Sequence, residues 1–155
     1  MEKIASFTVN HNDLLPGLYV SRKDASGECT VTTFDMRMTA PNREPVMDTA
    51  SIHTIEHLGA TYLRNCAAKN SIVYFGPMGC RTGFYIILFG ELESENIYEL
   101  VVDMCHSILD HEGEIPGARP EECGNYSDQD LEGAKHYIQR YVNDLIENKR
   151  FTYPE

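Results

Sequence analysis

The alternation of apolar and polar positions predicts strands in two parts of the chain. Residues 28–38, ECTVTTFDMRM, set apolar Phe34 and Met36 against polar Asp35 and Arg37. A period of two is typical of a strand with one buried face. The segments SIVYF and GFYIILFG predict two further strands, joined by a turn that contains GPMG. Their short separation favours an antiparallel pair.

Three longer segments have apolar residues at the spacing of a helix. Asp48 is a good N-cap for a helix that runs to about Lys69. Ser94 is expected to cap a second helix that ends near Gly113, and Ser127 is expected to open a third. The strands do not alternate regularly with these helices. This order predicts an α+β fold, in which helices pack on one face of an antiparallel sheet.

Length and charge limit the class of protein. The chain of 155 residues has no linker or repeat, which predicts one domain over residues 1–155. Acidic side chains outnumber basic ones 24 to 13, and the net charge of −11 disfavours binding to nucleic acid or to an anionic membrane. Neither a signal peptide nor a membrane span is predicted. The five cysteines have no paired spacing, which indicates a reduced, cytoplasmic protein.

The first predicted helix contains two histidines one turn apart. His53 and His57 in HTIEH, with Glu56 beside them, lie within an arc of about 100°, because a helix has about 3.6 residues per turn. Two imidazoles at this spacing can bind one cation, and Glu56 is then placed to shuttle protons rather than to bind. The alternative is an ordinary solvated helix face.

A metal site needs a third protein ligand, and the residues alone leave its identity open. Cys123 in the loop ECGNY is slightly favoured, because thiolates suit soft or borderline divalent ions. Zinc proteases with the inverted H-x-x-E-H motif use a distant glutamate instead. Cys66 and Cys105 fall on predicted helices beside apolar residues and are expected to be structural. Cys29 begins a strand and has no evident partner.

A second unusual cysteine, Cys80, lies in the glycine-flanked turn GPMGCRTG, directly before Arg81. A neighbouring cation and exposed backbone amides stabilise a thiolate, although a small apolar residue in a turn is the plainer interpretation. A metal flanked by a carboxylate and a thiol offers two acid/base groups. This combination suits a reaction that moves protons between adjacent carbons of the substrate.

Three separated motifs, HTIEH, PMGCRTGFY and ECGNY, resemble in their order and spacing the S-ribosylhomocysteine lyase (LuxS) family. The likeness extends from SFTVNH through FDMRMTAPN. It implies a carbon–sulfur lyase that splits S-ribosylhomocysteine into homocysteine and 4,5-dihydroxy-2,3-pentanedione, the autoinducer-2 precursor of quorum sensing. It also implies a link to the activated methyl cycle. The implied assembly is a homodimer with interfacial active sites, each holding one divalent metal; Fe(II) is expected, with Zn or Co as substitutes.

The resemblance also implies roles for individual residues. His53, His57 and Cys123 would be the metal ligands. Cys80 would be the first base, and Glu56 the acid/base group of the later steps. Metal-assisted migration of the carbonyl from C1 to C3 would then permit β-elimination of homocysteine.

Positions that line the substrate pocket of the family are matched by Ser6, His11 and Arg37, and Arg37 could hold the homocysteine carboxylate. One segment departs from the family pattern. Many members read VDISP before MGC, whereas this chain reads VYFGP, with Tyr74 at the position of the aspartate.

Two other functions fit part of the sequence. A small metallopeptidase with the inverted H-x-x-E-H motif would use Glu56 alone as its base and would not need Cys80. Such enzymes usually have a longer chain and a carboxylate as third ligand. A non-enzymatic metal-binding or structural domain would leave the placement of both residues unexplained.

Overall fold

Four antiparallel strands form one sheet in a computed structural model that describes residue 2 and residues 4–155. The strands are β1 (Gly17–Ser26), β2 (Cys29–Arg37), β3 (Ile72–Pro77) and β4 (Gly83–Phe89), in the spatial order β1-β2-β4-β3. The helices are α1 (Thr49–Asn65), α2 (Ser94–Asp110) and α3 (Leu131–Asn148), and two short 3-10 helices cover Ala5–Phe7 and Lys69–Ser71. The predicted α+β fold is confirmed.

One face of the sheet forms the core with the three helices. Phe34 and Met36 of β2 lie opposite Ile86 and Phe84 of β4, and all four side chains are fully buried. They belong to one continuous apolar cluster to which every helix contributes. The period of two in β2 separates an apolar face from a polar one, because successive side chains of a strand point to opposite faces. The expectation of a single buried face is wrong, since Asp35 and Arg37 on the other face are buried as well.

The other face, called here the open face, is not covered by helices. It consists of the alternate residues of the two central strands: Thr33, Asp35, Arg37, Tyr85 and Ile87. A pocket over this face is bordered by the N-terminal segment 6–11 and by Tyr153 near the C-terminus. None of the described helices is long and apolar enough to cross a membrane.

Helix α1 begins where predicted but ends earlier. The Asp48 carboxylate accepts a hydrogen bond from the Ser51 N–H at 2.8 Å, which confirms the N-cap. The helix ends at Asn65 rather than near Lys69, because Cys66 adopts an extended conformation with φ −77° and ψ 174°.

The predicted capping residues of α2 and α3 are wrong by one and by three positions. Glu93 rather than Ser94 caps α2, in a capping box with Asn96. Asp130 rather than Ser127 caps α3, and its carboxylate accepts from the Gly133 N–H at 2.9 Å. In both cases neighbouring side chains are also able to cap, so local sequence does not decide which one does.

Strand β1 was not predicted. It pairs with β2 from Gly17 to Ser26, with an irregularity between Val20 and Arg22 that shifts the register. A bulge of this kind interrupts the alternation of buried and exposed positions, so the periodic signal is lost.

Candidate metal centre and thiol pocket

The two histidines of α1 are oriented by backbone carbonyl groups. The Nδ1 atom of His53 lies 2.9 Å from the Asp128 carbonyl oxygen, and that of His57 lies 2.6 Å from the Pro116 carbonyl oxygen. A carbonyl oxygen only accepts, so each Nδ1 carries the hydrogen and donates it. Each Nε2 is thereby left with a free lone pair, the arrangement found in metal-binding histidines.

These free lone pairs converge with a sulfur atom. The two Nε2 atoms are 3.0 Å apart, and Cys123 Sγ lies 3.4 Å from His53 Nε2. All three donor atoms lie within 4.8 Å of one another. Two unprotonated ring nitrogens at this distance repel each other unless they share a cation. Two imidazoles and one sulfur suit a borderline divalent metal, so the donor set fits such an ion.

The loop between α2 and α3 places the third donor. The Cys123 N–H donates to the Arg119 carbonyl oxygen at 2.9 Å within a turn. At Gly117, φ is +73°, and an added Cβ would lie 3.1 Å from His57 Nδ1. A glycine is therefore required where this loop passes the His57 ring.

Glu56 is half-buried on α1, directly before His57. The cluster of potential ligands contains both histidines and Cys123 but not this carboxylate. No hydrogen bond or ion pair engages the Glu56 side chain within the described part of the chain. Glu56 thus lies beside the candidate ligands without a side-chain partner among the described residues.

Cys80 lies in the turn between β3 and β4, as predicted, and its side chain is exposed. It borders a pocket of about 310 Å³, called here the thiol pocket. The pocket brings together Cys80 and the three residues predicted to bind substrate, Ser6, His11 and Arg37. His11 Nδ1 lies 2.8 Å from the Val9 carbonyl oxygen, so its Nε2 is available as an acceptor.

Arg37 is buried rather than solvated as a strand arginine usually is: only 4% of the residue is exposed. Its guanidinium lies 2.6 Å from the Asp35 carboxylate, and one of its N–H groups points to Cys80 Sγ at 3.9 Å. Burial raises the pKa of the Asp35 carboxyl above its ordinary value, and the Arg37 charge offsets only part of this rise. Arg37 is therefore the cation that faces the thiol. Arg81 is exposed, and only its position next to Cys80 in the chain favours it.

Sequence reasoning missed three residues near the thiol: Asp35, Thr82 and Tyr153. Asp35 had a usable signal, because residues two apart on a strand share a face and Asp35 precedes Arg37 by two. Tyr153 had none. Its hydroxyl donates to Asp35 Oδ2 at 2.9 Å, a contact that spans 118 positions of the chain.

The metal centre and the thiol pocket are separate in one chain. None of the three candidate ligands lines the thiol pocket. Tyr74, at the departure from the family pattern, is 48% exposed on β3. Its hydroxyl lies over Gly76, where an added Cβ would be only 2.0 Å away. The Tyr74 side chain in this position therefore depends on the glycine at position 76.

The remaining cysteines differ in burial. Cys105 is fully buried, which confirms its structural role, and burial raises the pKa of its thiol. Cys66 is half-buried and donates to the Leu63 carbonyl oxygen at 3.3 Å. Cys29 is exposed at the start of β2. All five cysteines of the chain are free.

Fold and site together define an α+β protein with a candidate mononuclear metal centre and a separate thiol pocket. The S-ribosylhomocysteinase (LuxS) family profile matches residues 4–152. The chain belongs to this family. It is 55% identical to S-ribosylhomocysteine lyase of Finegoldia magna and 56% identical to that of Clostridium acetobutylicum, each over 100% of both chains. It is 52% identical to that of Phocaeicola vulgatus, over 96% of this chain and 92% of the relative.

Proposed function

We propose that this chain cleaves S-ribosylhomocysteine to homocysteine and 4,5-dihydroxy-2,3-pentanedione. The observation that carries the proposal is the convergence of His53, His57 and Cys123 in a chain matched over its full length by proteins named for this reaction. The sulfur donor and the names of the relatives support a lyase over the metallopeptidase alternative. Residues 1–155 then act as one metal-dependent lyase domain.

The three converging side chains would hold the metal, with Fe(II) as the proposed ion and Zn or Co as substitutes. A divalent ion bound there would supply a Lewis acid that polarises a substrate carbonyl. The protein's own contribution is orientation. The carbonyl oxygens of Asp128 and Pro116 hold both imidazole rings with their Nε2 atoms inward.

Two side chains of the protein move protons in this proposal. Cys80 Sγ, as thiolate, takes the first proton from a substrate carbon, and the Glu56 carboxylate acts as acid and base in the later transfers. The carbonyl must reach C3 before sulfur leaves, because only then is the proton on C4 acidic. Loss of that proton expels homocysteine from C5 by β-elimination.

The thiol pocket supplies the substrate contacts in this proposal. Ser6 Oγ and His11 Nε2 are polar atoms able to bond sugar hydroxyl groups. Arg37 already donates to Asp35 and Thr82, which supports a role beside the thiol. That Arg37 holds the homocysteine carboxylate stays a prediction.

A homodimer with interfacial sites is the proposed assembly, and the cytoplasm the proposed location. Cys80 and the three candidate ligands His53, His57 and Cys123, called here the triad, occupy different places on one chain. A second chain is therefore needed to bring the thiol and the triad together. Phe7 is 69% exposed and Phe89, in register with the open face, is 50% exposed. Exposed apolar surface of this kind marks protein interfaces.

The direct test is release of a free thiol from S-ribosylhomocysteine. Protein loaded with Fe(II), Co(II) or Zn(II) under anaerobic conditions is expected to release one homocysteine per substrate, detected with a chromogenic thiol reagent. Mass spectrometry should detect the pentanedione in equal amount. No thiol above background with any of the three ions would overturn the proposed function.

The Glu56→Gln variant separates proton transfer from metal binding. The amide keeps the shape of Glu56 but cannot accept the proton, so turnover is expected to fall about 10²- to 10⁴-fold. Metal content, measured by plasma mass spectrometry, should equal that of the wild type. Loss of metal from this variant would instead indicate that Glu56 is a ligand.

Complementation between two inactive variants tests the interfacial site. Cys80→Ala and Cys123→Ala chains, carrying different affinity tags, are co-expressed and the mixed dimer is isolated. If Cys80 of one chain works with the triad of the other, one of the two sites is intact, and about half the wild-type rate is expected. A site built within one chain predicts no activity in the mixed dimer.

A further inference from the structure

Thr82 lies between the Arg37 guanidinium and the Cys80 thiol. Its side-chain oxygen is 2.6 Å from an Arg37 nitrogen and 3.1 Å from Cys80 Sγ. The residue is buried, with 4% of its surface exposed. A buried hydroxyl must donate its one hydrogen to an acceptor, because a buried donor without an acceptor lowers the stability of the folded state.

The direction of the hydroxyl hydrogen follows from its neighbours. Arg37 has only donors, so Thr82 Oγ1 is the acceptor in their contact. The Thr82 hydrogen then needs an acceptor of its own. Among the described residues, Cys80 Sγ is the one other side-chain atom bonded to Thr82 Oγ1, so sulfur is the side-chain acceptor open to this hydrogen. A sulfur that accepts in this way is stabilised as a thiolate.

The Arg37 guanidinium is itself held by an ion pair with Asp35. It donates to Asp35 Oδ2 at 2.6 Å, and the same oxygen accepts from the Tyr153 hydroxyl at 2.9 Å. Burial raises the pKa of the Tyr153 phenol and the Asp35 carboxylate raises it further, so the phenol stays a donor at neutral pH. Both members of the ion pair are buried, which fixes the guanidinium in one orientation.

We propose that the Thr82 hydroxyl is a fixed hydrogen-bond donor to the Cys80 sulfur, aligned by a relay that runs from Tyr153 through Asp35 and Arg37. These are positioning residues that keep Cys80 in the form able to take a proton. The catalytic purpose of this arrangement rests on the proposed function. The ionisation of the Cys80 thiol, however, can be measured without substrate. The ionisable groups that share the thiol pocket with Cys80 are Asp35 and Arg37 from β2, Tyr85 from β4, His11 and Tyr153.

The test measures the rate at which iodoacetamide alkylates Cys80, followed by mass spectrometry of the peptide that contains it. The rate at about pH 7 is divided by the rate at about pH 10, where thiols of ordinary acidity are ionised. This ratio cancels changes in access to the sulfur. In Thr82→Val the ratio is expected to fall about tenfold, whereas Thr82→Ser keeps the hydroxyl and should stay within about twofold of the wild type.

Thr39→Val is the matched control. Thr39 is also a buried threonine, and its hydroxyl has no hydrogen-bond partner among the described residues. Its ratio should equal that of the wild type. The proposal is overturned if Thr82→Val behaves like the wild type, or if Thr39→Val loses as much, since the cause would then be packing.

Tyr153→Phe gives a second, milder variant should Thr82→Val fail to fold. It removes one hydroxyl at a half-buried position near the C-terminus, and a fall of about threefold in the ratio is expected. An unchanged ratio of alkylation rates would show that Tyr153 does not act on Cys80, and it would overturn the proposal as stated. A missing lyase activity with these labelling results intact would refute the proposed function alone.

Discussion

Replacing Cys80 with alanine is expected to lower homocysteine release by about a thousandfold or more while the metal stays bound. Positioned proton carriers contribute about 10²- to 10⁴-fold to a rate, and Cys80 is the base proposed for the first transfer. The thiol side chain is exposed in a turn, so removing its sulfur leaves no cavity in the core. Thiol detection measures the activity, and plasma mass spectrometry measures the metal.

Cys29→Ala is the control for the loss of an exposed cysteine. Cys29 lies at the start of β2, outside both the metal centre and the thiol pocket, and its variant should keep the wild-type rate. A metallopeptidase would tolerate the loss of Cys80. Lyase activity of Cys80→Ala within about twofold of the wild type would therefore exclude Cys80 as the base.

Replacing Cys123 with alanine is expected to remove the metal and with it the activity. Only the two imidazoles of His53 and His57 would remain, and a catalytic site of this type has three protein donors. Metal content should fall to near zero after dialysis, and homocysteine release to background. Cys66→Ala, which removes a half-buried thiol outside the triad, should keep both.

Thermal unfolding gives an independent measure of this loss. A ligand that binds only the folded state stabilises it by about 2.7 kcal/mol when present at 100 times its dissociation constant. A chelator should therefore lower the Tm of the wild type but not that of Cys123→Ala. Full metal occupancy of Cys123→Ala would place the third donor elsewhere and contradict the proposed centre.

Local sequence was enough for the elements whose pattern is uninterrupted. The alternation around Phe34 and Met36 predicted β2, and the Asp48 cap with helical apolar spacing predicted α1. Both depend on interactions between residues near in the chain. The same locality explains the failures. Strand β1 has a bulge that breaks its period, and at the start of α3 both Ser127 and Asp130 are able to cap.

Arg37 shows why burial is harder to predict than secondary structure. Its place on a strand was evident, but its burial depends on a pocket lining that includes His11 and Tyr153, which are distant in the chain. The counter-charge of Asp35 makes that burial tolerable, since an unpaired charge in the interior is strongly unfavourable. Sequence showed the pair two residues apart, but it did not show that the pair faces a thiol.

Helical periodicity alone was enough to determine that His53, Glu56 and His57 share one side of a helix, because a helix has a constant rise and rotation per residue. The sequence also showed that Cys80 lies in a glycine-flanked turn. Local pattern left the sulfur ligand open among several cysteines, and it is the folded chain that brings Cys123 to the two imidazoles. A loop cysteine acquires its position from the contacts that dock the loop, and none of those contacts follows from local periodicity.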